Sequence, residues 1–134
     1  SYAFLPPYTV AGSLGDNLSI ENINPDKKDL INKFINSLML EQAIYAAEKQ
    51  RDYSFGQKQR ISFIRALTKS ADVYLLDEIT NGVDKPIKEQ MLSFIQNLAK
   101  SSIVIIVSHD PEVLSMSGNI ISIEANGKVY QQSS

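Results

Sequence analysis

Two adjacent carboxylates, Asp77-Glu78, close a compact apolar run, Val73-Tyr74-Leu75-Leu76. On an extended chain neighbouring side chains point to opposite sides, so one carboxylate can face a metal while the other faces a nucleophile. A second apolar run, Ile103-Val104-Ile105-Ile106-Val107, ends in Ser108-His109-Asp110. If both runs are strands of one open α/β sheet, Asp77, Glu78 and His109 reach the same edge, where such sheets bind ligands. Taken singly, each has a plainer reading: the Asp-Glu pair as a solvated loop start, the lone histidine as a structural residue. Their shared edge weakens both. A third candidate is Ser54-Phe55-Gly56-Gln57 ahead of a helical pattern. Ser54 or Gly56 can cap that helix, and the exposed backbone N–H groups of a helix start attract anions; the plainer reading is an ordinary N-cap. Lys58, Arg60, Arg65 and Lys69 on the same helix are most simply a solvated face.

These residues need a scaffold, and the pattern supplies one. Tyr2-Ala3-Phe4-Leu5, stopped by Pro6-Pro7, reads as a strand entering a loop. Residues 16–23 are mixed and expected to be irregular. Pro25-Asp26 opens a pattern in which Leu30, Ile31, Phe34, Ile35 and Leu38 form one helical stripe. Residues 41–49 make a second helical stretch, and a third carries Ile61, Ile64 and Leu67 on one face. Pro86 suits a first helical turn, with Asp84 as its cap and Ile87, Met91, Phe94, Ile95 and Leu98 as its buried face. Continuous β-branched runs suggest strands buried on both faces, and strand, helix, strand in this order argues for a parallel sheet. Asn126-Gly127 marks a hairpin. The Ser/Gln tail, residues 131–134, is expected to fray. The division implied is a lead-in (1–24), a small helical subdomain (25–70) and a sheet-containing part (71–134).

Composition bounds the function. The 134 residues are 43% apolar with a formal net charge of -2, ordinary for a globular domain and without the basic footprint that nucleic-acid binding needs. With no cysteine, disulfides and thiolate-ligated metals are excluded. No apolar run approaches the ~20 residues of a membrane helix, and no signal peptide is visible. Ser1 is not preceded by an initiator Met, so the chain is expected to be a piece of a longer protein.

The ordered set of motifs resembles the ATPase domain of ATP-binding cassette (ABC) transporters over nearly the whole chain. Ser54-Phe55-Gly56-Gln57-Lys58-Gln59-Arg60-Ile61, with Arg65-Ala66-Leu67, is similar to the signature motif and its helix. Val73-Tyr74-Leu75-Leu76-Asp77-Glu78 resembles the Walker B strand, Thr80-Asn81-Gly82-Val83-Asp84 the D-loop, and Val107-Ser108-His109-Asp110 the H-loop. Gly12-Ser13-Leu14-Gly15-Asp16-Asn17-Leu18 resembles the segment after the Q-loop in exporter-type cassettes. The resemblance implies a P-loop NTPase-like (RecA-like) α/β fold, here partial, with a parallel sheet core and an inserted helical subdomain. It implies two cassettes paired head to tail around two ATP molecules, docked on transmembrane domains at the cytoplasmic face of the cell membrane. Asp77 would hold Mg²⁺, Glu78 would act as general base, and His109 would contact the γ-phosphate. Ser54, Phe55, Gly56 and Gln57 would reach the ATP of the other cassette, and Asp84 would connect the two sites.

The chain also departs from that pattern. No G-x-x-x-x-G-K-[ST] occurs, so the main phosphate cradle of the family is missing, and the chain is expected to be a C-terminal part of the domain, inactive alone. The Q-loop glutamine position falls on Leu5, which can neither ligate Mg²⁺ nor hydrogen-bond water. Tyr53 replaces the usual Leu and Phe55 the first Gly of the signature, where a ring is expected to crowd a phosphate. The stretch before the signature is shortened. An ATPase of an exporter is therefore the first reading. A degenerate cassette acting as a regulatory binding module is the second, favoured by Leu5 and Phe55 and opposed by the intact Asp77, Glu78 and His109. A soluble ABC ATPase of repair or translation fits less well. Without its P-loop strand the chain is expected to expose the edge of the strand at residues 103–107 and the apolar faces of Ile105, Val107, Ile121 and Ile123, and so to self-associate.

Overall fold

In the computed structural model the described residues are 2–3, 7, 9, 14–18, 29, 32–33, 35–36 and 53–133. Strands β1 (Tyr2–Ala3), β2 (Val73–Asp77) and β3 (Ile103–Val107) form a parallel sheet in the order β1-β2-β3. The register pairs Tyr2 with Leu75, Val73 with Ile103 and Asp77 with Val107. Parallel strands require a crossover, and a helix spanning Lys85–Leu98 supplies it between β2 and β3. Pro86 occupies its first turn, with the extended Asp84 at the N-cap, because a proline there lacks only an N–H that would go unused. Ile87, Met91 and Ile95 are its buried stripe, with Phe94 and Leu98 packed beside them.

The helix that follows the serine cap runs Phe55–Thr68 and buries Ile61, Ile64 and Leu67 as expected, together with Gln59, Phe63 and Ala66. It shares one apolar cluster with Tyr74 and Leu76 of β2 and with the crossover helix. The Tyr74 hydroxyl, donating to the Lys69 carbonyl at 2.9 Å, ties the helix end to β2. A short helix, Leu14–Leu18, covers part of the stretch expected to be irregular. Its Asn17 and Leu18 are buried, and the Arg65 guanidinium donates to the Asn17 carbonyl at 2.8 Å. Burial and that bond stabilise a helix which local sequence does not announce. In chain order these helices are α1 (Leu14–Leu18), α2 (Phe55–Thr68) and α3 (Lys85–Leu98); α4 (Pro111–Met116) follows β3.

Among the described residues the strands are covered on one face only: Tyr74 and Leu76 are buried, whereas Val73, Leu75, Ile103, Ile105 and Val107 stand on an open face, Ile105 being 50% exposed. That agrees with the uncovered faces expected at Ile105 and Val107. A β-branched run shows that a strand suits burial on both sides, not that both covers are present. One expectation is corrected: residues 131–133 of the tail are in a strand and are not frayed. Strands β4 (Asn119–Ile123) and β5 (Val129–Ser133) form an antiparallel hairpin in which Asn119 pairs with Ser133. The Asn126-Gly127 turn is as expected: Gly127 has φ +81°, which glycine adopts without steric cost.

Of the helical stripe at residues 30–38 only Ile35 is described with its side chain, and it is buried. Residues 41–49, Phe4 and Leu5 lie outside the described residues. Among the described residues no helix is long and apolar enough to cross a membrane.

Candidate functional site

The parallel register brings the ends of β2 and β3 level, and the chain leaves both at one edge. Asp77 is half-buried opposite Val107. The pairing continues one residue further, the Glu78 N–H donating to the Val107 carbonyl at 2.9 Å. Glu78 then takes φ +47°, a left-handed backbone unusual for a residue with a side chain. That turn aims its carboxylate at the β3 end, where Oε1 lies 2.8 Å from Nδ1 of His109. Oε2 is buried and has no hydrogen-bond partner among the described residues.

Opposite an ionised carboxylate, which only accepts, Nδ1 of His109 must carry the proton. The hydrogen bond His109 donates to Glu78, then the Glu78 charge, raises the His109 pKa above the usual histidine value; desolvation opposes this and Asp110 adds to it. The protonated ring is thus favoured over a wider pH range than in an ordinary histidine, and with Nδ1–H committed to Glu78 the ring leaves Nε2 for another group. Because the folded pKa is the raised one, the stabilisation is fully present below the ordinary histidine value and is lost as pH rises through the folded value. Glu78→Gln is expected to return the His109 titration toward ordinary histidine, read by NMR of the ring protons. An unmoved midpoint contradicts the contact.

The helix start is built as a capping box. Ser54 Oγ accepts from the Gln57 N–H at 3.3 Å and Gln57 Oε1 accepts from the Ser54 N–H at 2.8 Å. Ser54 Oγ only accepts there, so its hydroxyl hydrogen remains available. Gly56 is required by close approach: a Cβ there would stand 2.6 Å from the Gly82 carbonyl oxygen. Gly82, at φ +67°, in turn lies against the Phe55 ring, which a Cβ on Gly82 would meet at 2.7 Å. Phe55 therefore packs along the loop that follows β2. Gly56→Ala is expected to destabilise by about 1–3 kcal/mol, because backbone must move to admit the methyl; urea unfolding measures it.

Behind His109, the Lys88 ammonium lies 3.0 Å from both Asp110 and Glu112, and Thr80 donates to Asp110 at 3.3 Å. Burial pushes the Asp110 carboxyl up, but the Lys88 hydrogen bond, the Glu112 N–H and Thr80 hold it below the usual range. Asp84 is corrected in one respect: it stands at the N-cap of α3, yet its side chain makes no capping hydrogen bond. Its charge instead acts on Arg60, whose pKa burial lowers and Asp84 raises. The structure thus gathers Asp77, Glu78 and His109 at one edge, and sets Ser54, Phe55, Gly56 and Gln57 beside the same loop through Gly82. Leu5 lies outside the described residues. Sequence reasoning missed Gln59, Thr80, Lys88 and Asp110 as participants, although Gln59, Thr80 and Asp110 sit inside motifs it singled out.

A family model described as ABC transporter matches residues 4–81, more than half of the chain. The chain belongs to the ABC transporter family. A probable sulfate/thiosulfate import ATP-binding protein of Chlorella vulgaris is 31% identical over 135 residues, covering 98% of this chain and 56% of the relative. A molybdenum import ATP-binding protein of Vibrio cholerae is 32% identical over 127 residues, 92% of this chain and 32% of the relative. A maltose/maltodextrin import ATP-binding protein of Escherichia coli K12 is 32% identical over 136 residues, 98% of this chain and 36% of the relative. The chain thus spans between a third and about half the length of these curated relatives. For an ABC protein the relevant ligands are ATP and a divalent cation. Among the described residues no cluster of three or more His, Cys, Asp or Glu forms a self-sufficient metal cage. Mg²⁺ is usually held by one or two carboxylates together with substrate phosphates; Asp77, half-buried at the β2 end, is the carboxylate that would take that part. For ATP the fit is one-sided, since the 134 residues contain no phosphate cradle.

Proposed function

We propose that this chain is the C-terminal portion of a transport-coupled ATPase domain, carrying the metal carboxylate, the base and the γ-phosphate contact, while the phosphate cradle lies elsewhere in the full-length protein. The observation that carries this reading is the Glu78 carboxylate, on the residue next to Asp77: one oxygen is held by His109 and the other is buried without a hydrogen-bond partner among the described residues. In this reading Asp77 is the Walker B aspartate and holds Mg²⁺, and Glu78 accepts a proton from the attacking water. His109 donates Nε2–H to the γ-phosphate. Ser54, Phe55, Gly56 and Gln57 form the signature end of α2, and it faces ATP bound to a second cassette. Asp84, in the D-loop, connects the paired sites. Leu5 stands at the Q-loop position. The division into a lead-in (1–24), a helical subdomain with the signature (25–70) and a core part (71–134) belongs to the same proposal, as do a transmembrane partner domain and a place at the cytoplasmic face of the membrane.

Export is the direction supported by residues 12–18. The relatives are named as import proteins, but identity near a third spans the cassette that both kinds of transporter share, so it supports transport coupling more than direction. The regulatory reading keeps two supports, Leu5 at the Q-loop position and the Phe55 ring in place of a signature glycine.

Calorimetry and a phosphate-release assay test the proposal. The full-length protein is expected to bind and turn over Mg-ATP, and the isolated 134-residue chain to do neither, because the P-loop amides and lysine supply most phosphate contacts. Micromolar Mg-ATP binding by the isolated chain, or no turnover by the full-length protein, overturns it.

A further inference from the structure

Glu78 holds a backbone conformation that its side chain disfavours, at φ +47°. Such a conformation persists only where the surroundings over-determine it. Three contacts do so. The Glu78 N–H is fixed to the Val107 carbonyl at 2.9 Å, and the Asn81 N–H donates to the Glu78 carbonyl at 3.2 Å. The third comes from another element: Gln59, in the second turn of α2, donates from Nε2 to that same carbonyl at 2.7 Å. Gln59 is almost wholly buried at 1% exposure, and its Oε1 has no hydrogen-bond partner among the described residues.

That combination is informative. A buried amide with an unmatched oxygen is a poor way to stabilise a core, and an apolar side chain of the same length would avoid the unmet acceptor. The donor end, in contrast, anchors the carbonyl of the residue whose positive φ sets the direction of the Glu78 side chain. Relaxing that φ to negative values would swing Cβ, and with it the carboxylate, away from His109.

We infer that Gln59 is a positioning residue: its side-chain amide locks the left-handed turn at Glu78 and thereby aims the carboxylate at His109 and at the reacting water. The inference rests on the proposed role of Glu78 for its catalytic consequence, but not for its structural content. It also links the start of α2 to the β2 end, so that displacement of the signature helix shifts the base.

Two measurements test it, and they fail separately. In the full-length protein, Gln59→Met keeps length and burial and removes the donor. Turnover is expected to fall about 10- to 100-fold, the loss typical of a catalytic group displaced by about an ångström, with the KM for ATP unchanged. Unchanged turnover, or a loss that merely follows a lower Tm, overturns the inference. If the full-length protein proves to have no ATPase activity, the proposed function fails and the isolated chain still decides this point. There, at fixed pH, Gln59→Met is expected to move the His109 ring signals toward those of Glu78→Gln. Ring signals left at their original positions in a folded variant overturn the inference. Should the variant not fold, the unmodified chain carries its own test. A through-hydrogen-bond scalar coupling between the Gln59 side-chain nitrogen and the Glu78 carbonyl carbon, with slowed exchange of the Gln59 amide protons, is expected. Absence of both overturns it.

Discussion

Glu78→Gln in the full-length protein is expected to abolish most ATP turnover while leaving ATP bound. The substitution keeps the length and planarity of the side chain. The amide oxygen can still accept from His109 Nδ1, so the geometry at the sheet edge is retained. What disappears is a group able to take a proton from water: the partnerless Oε2 of the carboxylate is replaced by either an amide nitrogen or a non-basic oxygen. Loss of a general base costs roughly 10²–10⁴-fold, and because phosphate binding does not use this proton, the KM for ATP stays nearly unchanged. Steady-state phosphate release with nucleotide-retention measurements reads both quantities. Turnover equal to that of the unmodified protein removes Glu78 from the chemistry and favours the regulatory reading.

The isolated chain is expected to self-associate at micromolar concentration. The reason is visible in the sheet. With the order β1-β2-β3, the outer edge of β3 is unpaired among the described strands, and its side chains Ile103, Ile105 and Val107 are each at least half exposed. Val73 and Leu75 of β2 extend the same open face, and Ile121, Ile123 and Val129 of the hairpin add further exposed apolar groups. A flat apolar edge with free N–H and C=O groups recruits another strand, and burying such surface yields about 25 cal/mol per Å². Light scattering coupled to size exclusion is expected to show dimers or larger species, and Ile105→Lys to shift the population toward monomer, since a charge on an edge strand blocks pairing. A monodisperse monomer with a cooperative melt shows instead that the sheet closes without help. In the full-length protein the proposed P-loop strand is expected to pair with this edge, and association through it to be lost.

Much of the architecture was legible because it rests on short-range rules. The helix start at Ser54, the crossover helix opened by Pro86, the parallel β2–β3 pair and the Asn126-Gly127 turn all follow from side-chain stereochemistry and hydrophobic period. Other elements depend on partners distant in sequence. The Leu14–Leu18 helix owes its stability to burial and to Arg65, 48 positions from Asn17. The Gln131–Ser133 segment is ordered because Asn119–Ile121 pairs with it, and polar composition alone reads it as loose. The open face of β2 and β3 was legible in part: the missing P-loop motif led to uncovered faces at Ile105 and Val107, whereas the exposure of Val73, Leu75 and Ile103 shows only in the packed structure.

The candidate site divides in the same way. Residue type and order along the chain were enough to single out Asp77, Glu78, His109 and the turn at Ser54, and to assign them to one strand edge and one helix start. They were also enough for family membership, since an ordered set of short motifs survives at an overall identity near a third. The tertiary structure alone decided how these groups act on one another. It placed Glu78 Oε1 on His109 and left Oε2 free, turned the Glu78 backbone left-handed, brought Gln59 to its carbonyl, and set Lys88 and Thr80 on Asp110. Each of these contacts joins residues 19 to 31 positions apart or depends on one that does. Such distances are set by the packing of α2 and α3 against the sheet, and no local pattern records them.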